Sequence, residues 1–246
     1  MIDAIRSEFR KLFTVRTTYI YILFAMLIVA LFAGFGEGFK ASPALLKNPG
    51  LLASEVTNAV GFVGIFAALA GLLLLAQEYR FNTIMYTLTA SNSRTKVLVA
   101  KVFVVSIFAI GFTLLIGAFS PLCTLIGIHL QGSELVPQTL YYNDLLWRCL
   151  FYGWAYSMIA LAIAAIVRHL VGSIVALLVF PAVVENILSL LLKGNDQYLP
   201  FRALGSVVGM GMPGSLSPGK AAVTVGIYLV VLWLVAWVLF LRRDAN

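Results

Sequence analysis

Long apolar runs, separated by short polar interludes, set the pattern of this chain. They cover about residues 18–36, 56–76, 97–120, 145–167, 170–192 and 221–241. Each is close to or above the roughly 20 residues a helix needs to cross a bilayer. Helices satisfy their own backbone hydrogen bonds in lipid, so an all-α integral membrane protein with six transmembrane helices is expected over residues 1–246, as a single transmembrane domain. Residues 1–16 precede the first run. There Ile2, Ile5, Phe9, Leu12 and Phe13 share a helical face while Arg6, Arg10 and Lys11 lie largely off it, the pattern of a helix in the membrane interface. The first run is too long for a signal-peptide core and lacks a convincing cleavage site, so it is read as a retained span closed by Gly34, Gly36 and Gly38. Ser120-Pro121 interrupts the third run, and Pro181 predicts a kink in the fifth.

The longest polar segment, Gln77 to Lys101, falls between the second and third runs. Within it Thr83 to Ala90 has helical character, with Ile84, Met85 and Leu88 at one-face spacing. Asn82 and Ser93 stand where a side-chain oxygen would cap the helix that follows. A short helix with an apolar stripe, held at a membrane surface between two spans, is either a solvated connector or a docking element. The stripe, rimmed by Arg80 and Arg94, favours docking of a soluble partner.

Composition agrees with the membrane reading and excludes a soluble domain. The chain is 61% hydrophobic and only 11% charged, against roughly 25% charged in soluble domains. Its net charge of +7 requires no nucleic acid, because Lys and Arg gather beside the spans, facing anionic lipid. Six spans put both termini on one side. Of the 17 Lys and Arg, eleven fall on that side: Arg6, Arg10, Lys11, Arg16, Arg80, Arg94, Lys96, Lys101, Arg168, Arg242 and Arg243. Lys40, Lys47, Arg148, Lys193, Arg202 and Lys220 fall on the other. The positive-inside rule then places both termini and the 77–101 segment in the cytoplasm.

Few residues offer chemistry. Gly214 to Lys220 matches the G-x-x-x-x-G-K part of a phosphate loop, but Ala221 stands where Ser or Thr must hold magnesium, and a span follows. It reads as a Gly/Pro turn with an interfacial Lys. There is no G-x-S-x-G, H-E-x-x-H or cysteine cluster. His129 and His169 are assigned to opposite membrane faces, and Cys123 and Cys149 read as unpaired buried thiols. Glu185, with Asn186 beside it, is the most informative intramembrane charge. It either lines the outer half of a passage or makes a structural hydrogen bond between spans, and its place off the midplane favours the second. Glu55, Asn58 and Phe62 share a stripe at the outer end of the second span, a mouth or a wet interface. Gly61, Gly64 and Gly71 support close helix approach and oligomerisation, and Trp147, Tyr152 and Trp154 read as interface aromatics.

The Glu78-Tyr79-Arg80-Phe81-Asn82-Thr83-Ile84 segment, the later Ser93-Arg94 with Val97 to Lys101, and Tyr198-Leu199-Pro200-Phe201 together resemble the permease subunits of ABC-2-type transporters. The resemblance covers essentially the whole chain, and the 77–101 segment carries most of it. It implies that residues 78–94, namely Glu78, Tyr79, Arg80, Asn82, Thr83, Ile84, Met85, Leu88 and Arg94, act as a cytoplasmic coupling helix. That helix would dock on a separate ATP-binding-cassette ATPase, two copies of which hold the ATP and magnesium; this chain would bind no cofactor itself. It implies a second permease copy or a homologous permease, with the second and fifth spans at the dimer interface and Glu185, Asn186, Glu55 and Asn58 lining the route. It further implies a short re-entrant or interfacial helix at 201–210, a minor ATPase contact at Arg168-His169, residence in a bacterial inner membrane, and export. The rival readings are an ion-gradient-driven carrier, for which only Glu185 is a convincing intramembrane charge, and a non-transporting scaffold or immunity protein.

Overall fold

The computed structural model describes residues 2–14, 16–91, 93–139, 142–192, 194–211 and 214–242. Lys193 and Arg243 of the charge count above lie outside the described residues, as do Met1 and Val15 of the interfacial segment. The helices are α1 (Ile2–Thr14), α2 (Arg16–Val29), α3 (Pro43–Leu46), α4 (Leu51–Arg80), α5 (Ile84–Ser91), α6 (Arg94–Gln131), α7 (Tyr142–Val167), α8 (Leu170–Val179), α9 (Glu185–Leu192), α10 (Pro200–Val207) and α11 (Pro218–Arg242). Two wide π-helical stretches, Ala30–Phe39 and Phe180–Val184, prolong α2 and join α8 to α9. The second contains Pro181, so the expected kink takes the form of a widened turn. Six helical runs are long and apolar enough to cross a membrane: Thr18–Phe39, Leu51–Arg80, Arg94–Gln131, Asn143–Val167, Leu170–Leu192 and Pro218–Arg242. The protein is an all-α, multi-pass membrane protein.

The second and fourth spans form the centre. About two thirds (67%) of the most apolar stretch of α4 and of α7 is buried inside the chain, against 11% for the fifth span. Small residues let these helices meet. A Cβ on Gly64 would stand 2.8 Å from the Tyr152 ring, and one on Gly71 would stand 2.8 Å from Val105. The glycines read as support for oligomerisation therefore serve packing within the chain. Tyr152 is buried and Trp154 half-buried within the bundle: the Tyr152 hydroxyl donates to Gly61 O at 2.9 Å, and Trp154 Nε1 donates to Ser106 Oγ at 3.0 Å. Outward-facing Leu23, Leu27, Val171, Leu190, Val223 and Leu234 give the bundle an apolar exterior. Cys123 and Cys149 are both free and buried.

The third span corrects its sequence reading. α6 runs unbroken through Pro121 for 38 residues, about 57 Å at 1.5 Å per residue, nearly twice the hydrocarbon thickness. Proline removes one backbone donor, a loss that neighbouring helices and hydroxyl side chains make tolerable in a span. Here Ser120 Oγ donates to Glu55 O at 3.2 Å and Thr124 Oγ1 to Ser120 O at 3.3 Å, beside the packed wide turn of the first span. Gly34, Gly36 and Gly38 lie in the last, wide turns of that first span, which ends at Phe39. A Cβ on Gly127 would lie 2.1 Å from Gly34 O, and one on Gly38 would lie 2.7 Å from Thr124 O, so the two backbones cross in direct contact.

α1 and the last turn of α11 both lie at the end of the bundle where α6 begins. The last turn of α11 has carbonyls with no helical partner. Arg94 Nη1 donates to Leu241 O at 3.1 Å, and Arg168 Nη2 donates to Leu239 O at 2.8 Å. Cations suit this negative end of the helix dipole.

The crossing sets a test. Gly127→Ala should cost about 1–3 kcal/mol of stability through forced backbone movement. Gly111→Ala, which meets no atom within 4 Å, should be neutral or stabilise by up to about 1 kcal/mol through helix propensity. Thermal unfolding of both variants in detergent compares them.

Candidate functional site

The last turn of α4 carries Glu78, Tyr79 and Arg80, so these three belong to the second span's helix and not to the short helix that follows. Asn82 ends α4. Its φ of 52° is left-handed, Thr83 N donates to Glu78 O at 2.9 Å, and Asn82 N donates to Tyr79 O at 3.3 Å. That pair of bonds is a Schellman turn with Asn in the place usually held by glycine. Asn82 thus closes the helix before it, where an N-cap for the helix after it was expected. Ser93 does hold the N-cap position of α6, but its hydroxyl makes no cap bond and lies 2.7 Å from Thr95 Oγ1.

Beneath α5 four charges meet. Lys101 is wholly buried, Glu8 is 2% exposed and Glu78 is 6% exposed. Lys101 Nζ lies 2.7 Å from Glu8 Oε2 and 2.9 Å from Glu78 Oε1, and donates to Leu74 O at 3.0 Å. Lys11 Nζ lies 2.7 Å from both Glu8 Oε1 and Glu78 Oε1, and 3.2 Å from Thr87 Oγ1. Two ammonium groups and two carboxylates therefore join α1, α4 and α6, and Thr87 brings in α5. Burial acts to lower the pKa of Lys11, but its hydrogen bonds and charge interactions with Glu78 and Glu8 outweigh this and raise it above the ordinary 10.5. A folded pKa above the unfolded one means that Lys11's contribution is intact below about pH 10.5 and is lost only as pH rises through the folded value.

α5 turns two faces to different surroundings. Ile84 is 2% exposed and Leu88 packs partly buried against the core, so both point inward. Met85 (48% exposed) and Tyr86 (78%) point out, next to the exposed Phe81. The expected stripe of Ile84, Met85 and Leu88 is therefore divided: positions 84 and 88 are one turn apart, whereas 85 is rotated about 100° from 84. Thr83 is exposed, and its carbonyl accepts from Thr87 N at 3.2 Å. Arg80 lies over the Phe81 ring at 5.3 Å, and the Arg168 guanidinium over Tyr79 at 5.7 Å. Arg94 and Arg168 hold the end of α11, which adds an internal task to the rim and docking roles expected of them.

At the other end of the bundle the four candidate lining residues fall into two separate pairs. Glu185 is 1% exposed. Its oxygens accept from Phe201 N at 2.7 Å and Arg202 N at 3.1 Å, so this carboxylate caps the start of α10 from another element. Asn186 Oδ1 accepts from Arg202 at 3.2 Å, and Arg202 also pairs with Asp196. Glu185 and Asn186 border a cavity of about 450 Å³ with these partners. Glu55 and Asn58 border a different cavity, about 290 Å³, between the first and second spans.

Sequence reasoning missed Glu8, Lys11 and Lys101 as a unit. One signal was present: Glu8 is three residues from Ile5 and four from Leu12, on the apolar face of α1, where a carboxylate needs a buried partner.

Removal of Lys101 should expose how the cluster works. Lys101→Met strands two carboxylates around one ammonium and should cost about 3–5 kcal/mol of stability. Adding Glu8→Gln restores one-to-one pairing and should recover much of that loss; denaturant unfolding of the single and double variants measures the coupling.

Among curated proteins no sequence matches this chain. Residues 4–188 match the family described as ABC-2 family transporter protein, a span that takes in nearly all of α1, the charge cluster, α5, the first four membrane passes and most of the fifth. The chain belongs to that family, as a membrane subunit of an ABC transporter.

Proposed function

We propose that this chain is the permease of an ABC exporter, moving cargo across a bacterial inner membrane with energy from a separate ATPase that grips α5 from the cytoplasm. The observation that carries the reading is the division of α5 into two faces. Its inner face is tied to the bundle through Ile84, Leu88 and Thr87, while Phe81, Met85 and Tyr86 present apolar surface outward. Aromatic and Met side chains of this kind are enriched at protein interfaces. A push on that face reaches α1, α4 and α6 at once through the buried charges. The excess of Lys and Arg at this end supports a cytoplasmic position for α5 and both termini.

The working assembly has two ATPase copies, which hold ATP and magnesium, and two permeases, either this chain twice or this chain with a homologue. The bundle itself offers α4 as the transmitting element. It carries Glu78 in the charge cluster and Glu55 at the outer cavity, 23 residues apart, or about 35 Å along a helix axis.

Met85→Asp should weaken ATPase co-purification about tenfold or more and abolish ATP-driven transport, with the unfolding temperature of the permease unchanged. Leu88→Asp, by contrast, should destabilise the permease because Leu88 faces the core. Wild-type stimulation of ATPase activity by Met85→Asp would overturn docking at this face. Cargo movement by the purified chain alone, driven by an ion gradient in proteoliposomes, would overturn the proposal as a whole.

A further inference from the structure

Two deeply buried acids stand near the outer end of the bundle, and their surroundings differ. Glu185 uses both oxygens to cap α10. Glu55 is 5% exposed, yet its carboxylate makes no hydrogen bond or ion pair among the described residues; only its backbone carbonyl is engaged, by Ser120. A carboxylate in such a place is costly unless something compensates its charge. It borders the 290 Å³ cavity, whose wall also includes Glu37 from the wide turn of the first span, Asn58, Phe32, Phe62 and Met210. Phe32 and Phe62 form a tilted pair with centroids 5.9 Å apart, and both rings are well exposed, at 65% and 59%.

Each component favours one kind of occupant. Two carboxylates in one low-dielectric cavity repel each other, and a cation relieves that repulsion. Aromatic faces attract ammonium and guanidinium groups through the ring quadrupole. The Asn58 amide oxygen can accept an N–H. Aromatic walls and a Met thioether suit an organic body better than a hydrated metal ion. The volume is close to the lower limit of small-molecule pockets, enough for a charged group with a modest apolar body.

We propose that this cavity binds a monovalent organic cation, its charge set against Glu55 and Glu37 and its apolar body against Phe32 and Phe62. The same chemistry belongs to an amphipathic amine cargo and to the headgroup of an amine-bearing lipid. That the cation is cargo rests on the transport function proposed above. Its binding does not, because the isolated chain holds the whole site.

The test measures binding of benzyltrimethylammonium to the full-length chain in phosphatidylglycerol nanodiscs, with protein-free discs as the blank. The uncharged carbon isostere, neopentylbenzene, is measured in parallel. Saturable binding of the cation, at least about tenfold tighter than the isostere, is expected, with about tenfold loss in Glu55→Gln. Phe62→Leu, on the open side of the cavity, should weaken binding several-fold, and Glu134→Gln in an exposed loop should leave it unchanged. Competition by added phosphatidylethanolamine would identify a lipid headgroup as the occupant, and its absence a free amine; both keep the cation site. Equal binding of the isostere, or unaltered binding in Glu55→Gln, overturns the proposal. Because no ATPase is present, a failure here is distinct from a failure of coupling at α5.

Discussion

Charged groups withdrawn from water can coexist only if each finds its opposite within reach, and buried Glu8, Glu78 and Lys101, with half-buried Lys11 at their edge, meet that condition across three helices. Such a cluster adds little net stability over an apolar core of the same shape. Its effect is geometric, since the charges pair well in one arrangement and poorly in any other. α1, which would otherwise be an amphipathic helix free to slide on the membrane surface, is fixed to the ends of the second and third spans. The short helix α5 is then seated on a platform with defined orientation, although eight residues alone would hold little helical structure.

Much of this was legible in the chain because lipid imposes a simple rule on sequence: apolar for about 20 residues, polar between. Six spans, an amphipathic helix before the first of them and a short helix after the second all follow from that rule. The boundaries that slipped have local causes. α4 runs on to Arg80 and ends where Asn82 tolerates the left-handed conformation, and α6 continues through Pro121 at a level where Ser120 ties it to the second span. The pairing of Glu8 with Lys101 joins positions 93 residues apart, and no single-helix periodicity encodes a contact of that range. Ile84, Met85 and Leu88 do share the short helix α5, but which of them face inward depends on where α6 lies.

The opposite end of the bundle obeys a similar logic of acids and their obligations. α10 starts beside a buried carboxylate that supplies what its first backbone amides lack, so a short helix is retained between two spans without a cap of its own. Arg202 and Asp196 close the same corner. Among the described residues the Glu55 carboxylate has no such obligation, and it projects from the same helix that ends in the charge cluster. A tilt of α4 would alter the cavity at one end as it moved Glu78 at the other.

The crossing of Gly34 and Gly38 with Gly127 leaves no side chain between two backbones. Interdigitated side chains can change rotamer and let helices slip past each other, but bare peptide planes have no such give. The first and third passes are therefore welded at the end far from the charge cluster and must travel as one body. Any rearrangement of the bundle has to fall along seams where bulky, adaptable residues meet, and the fifth pass, with 11% of its most apolar stretch covered, is a stretch with that freedom.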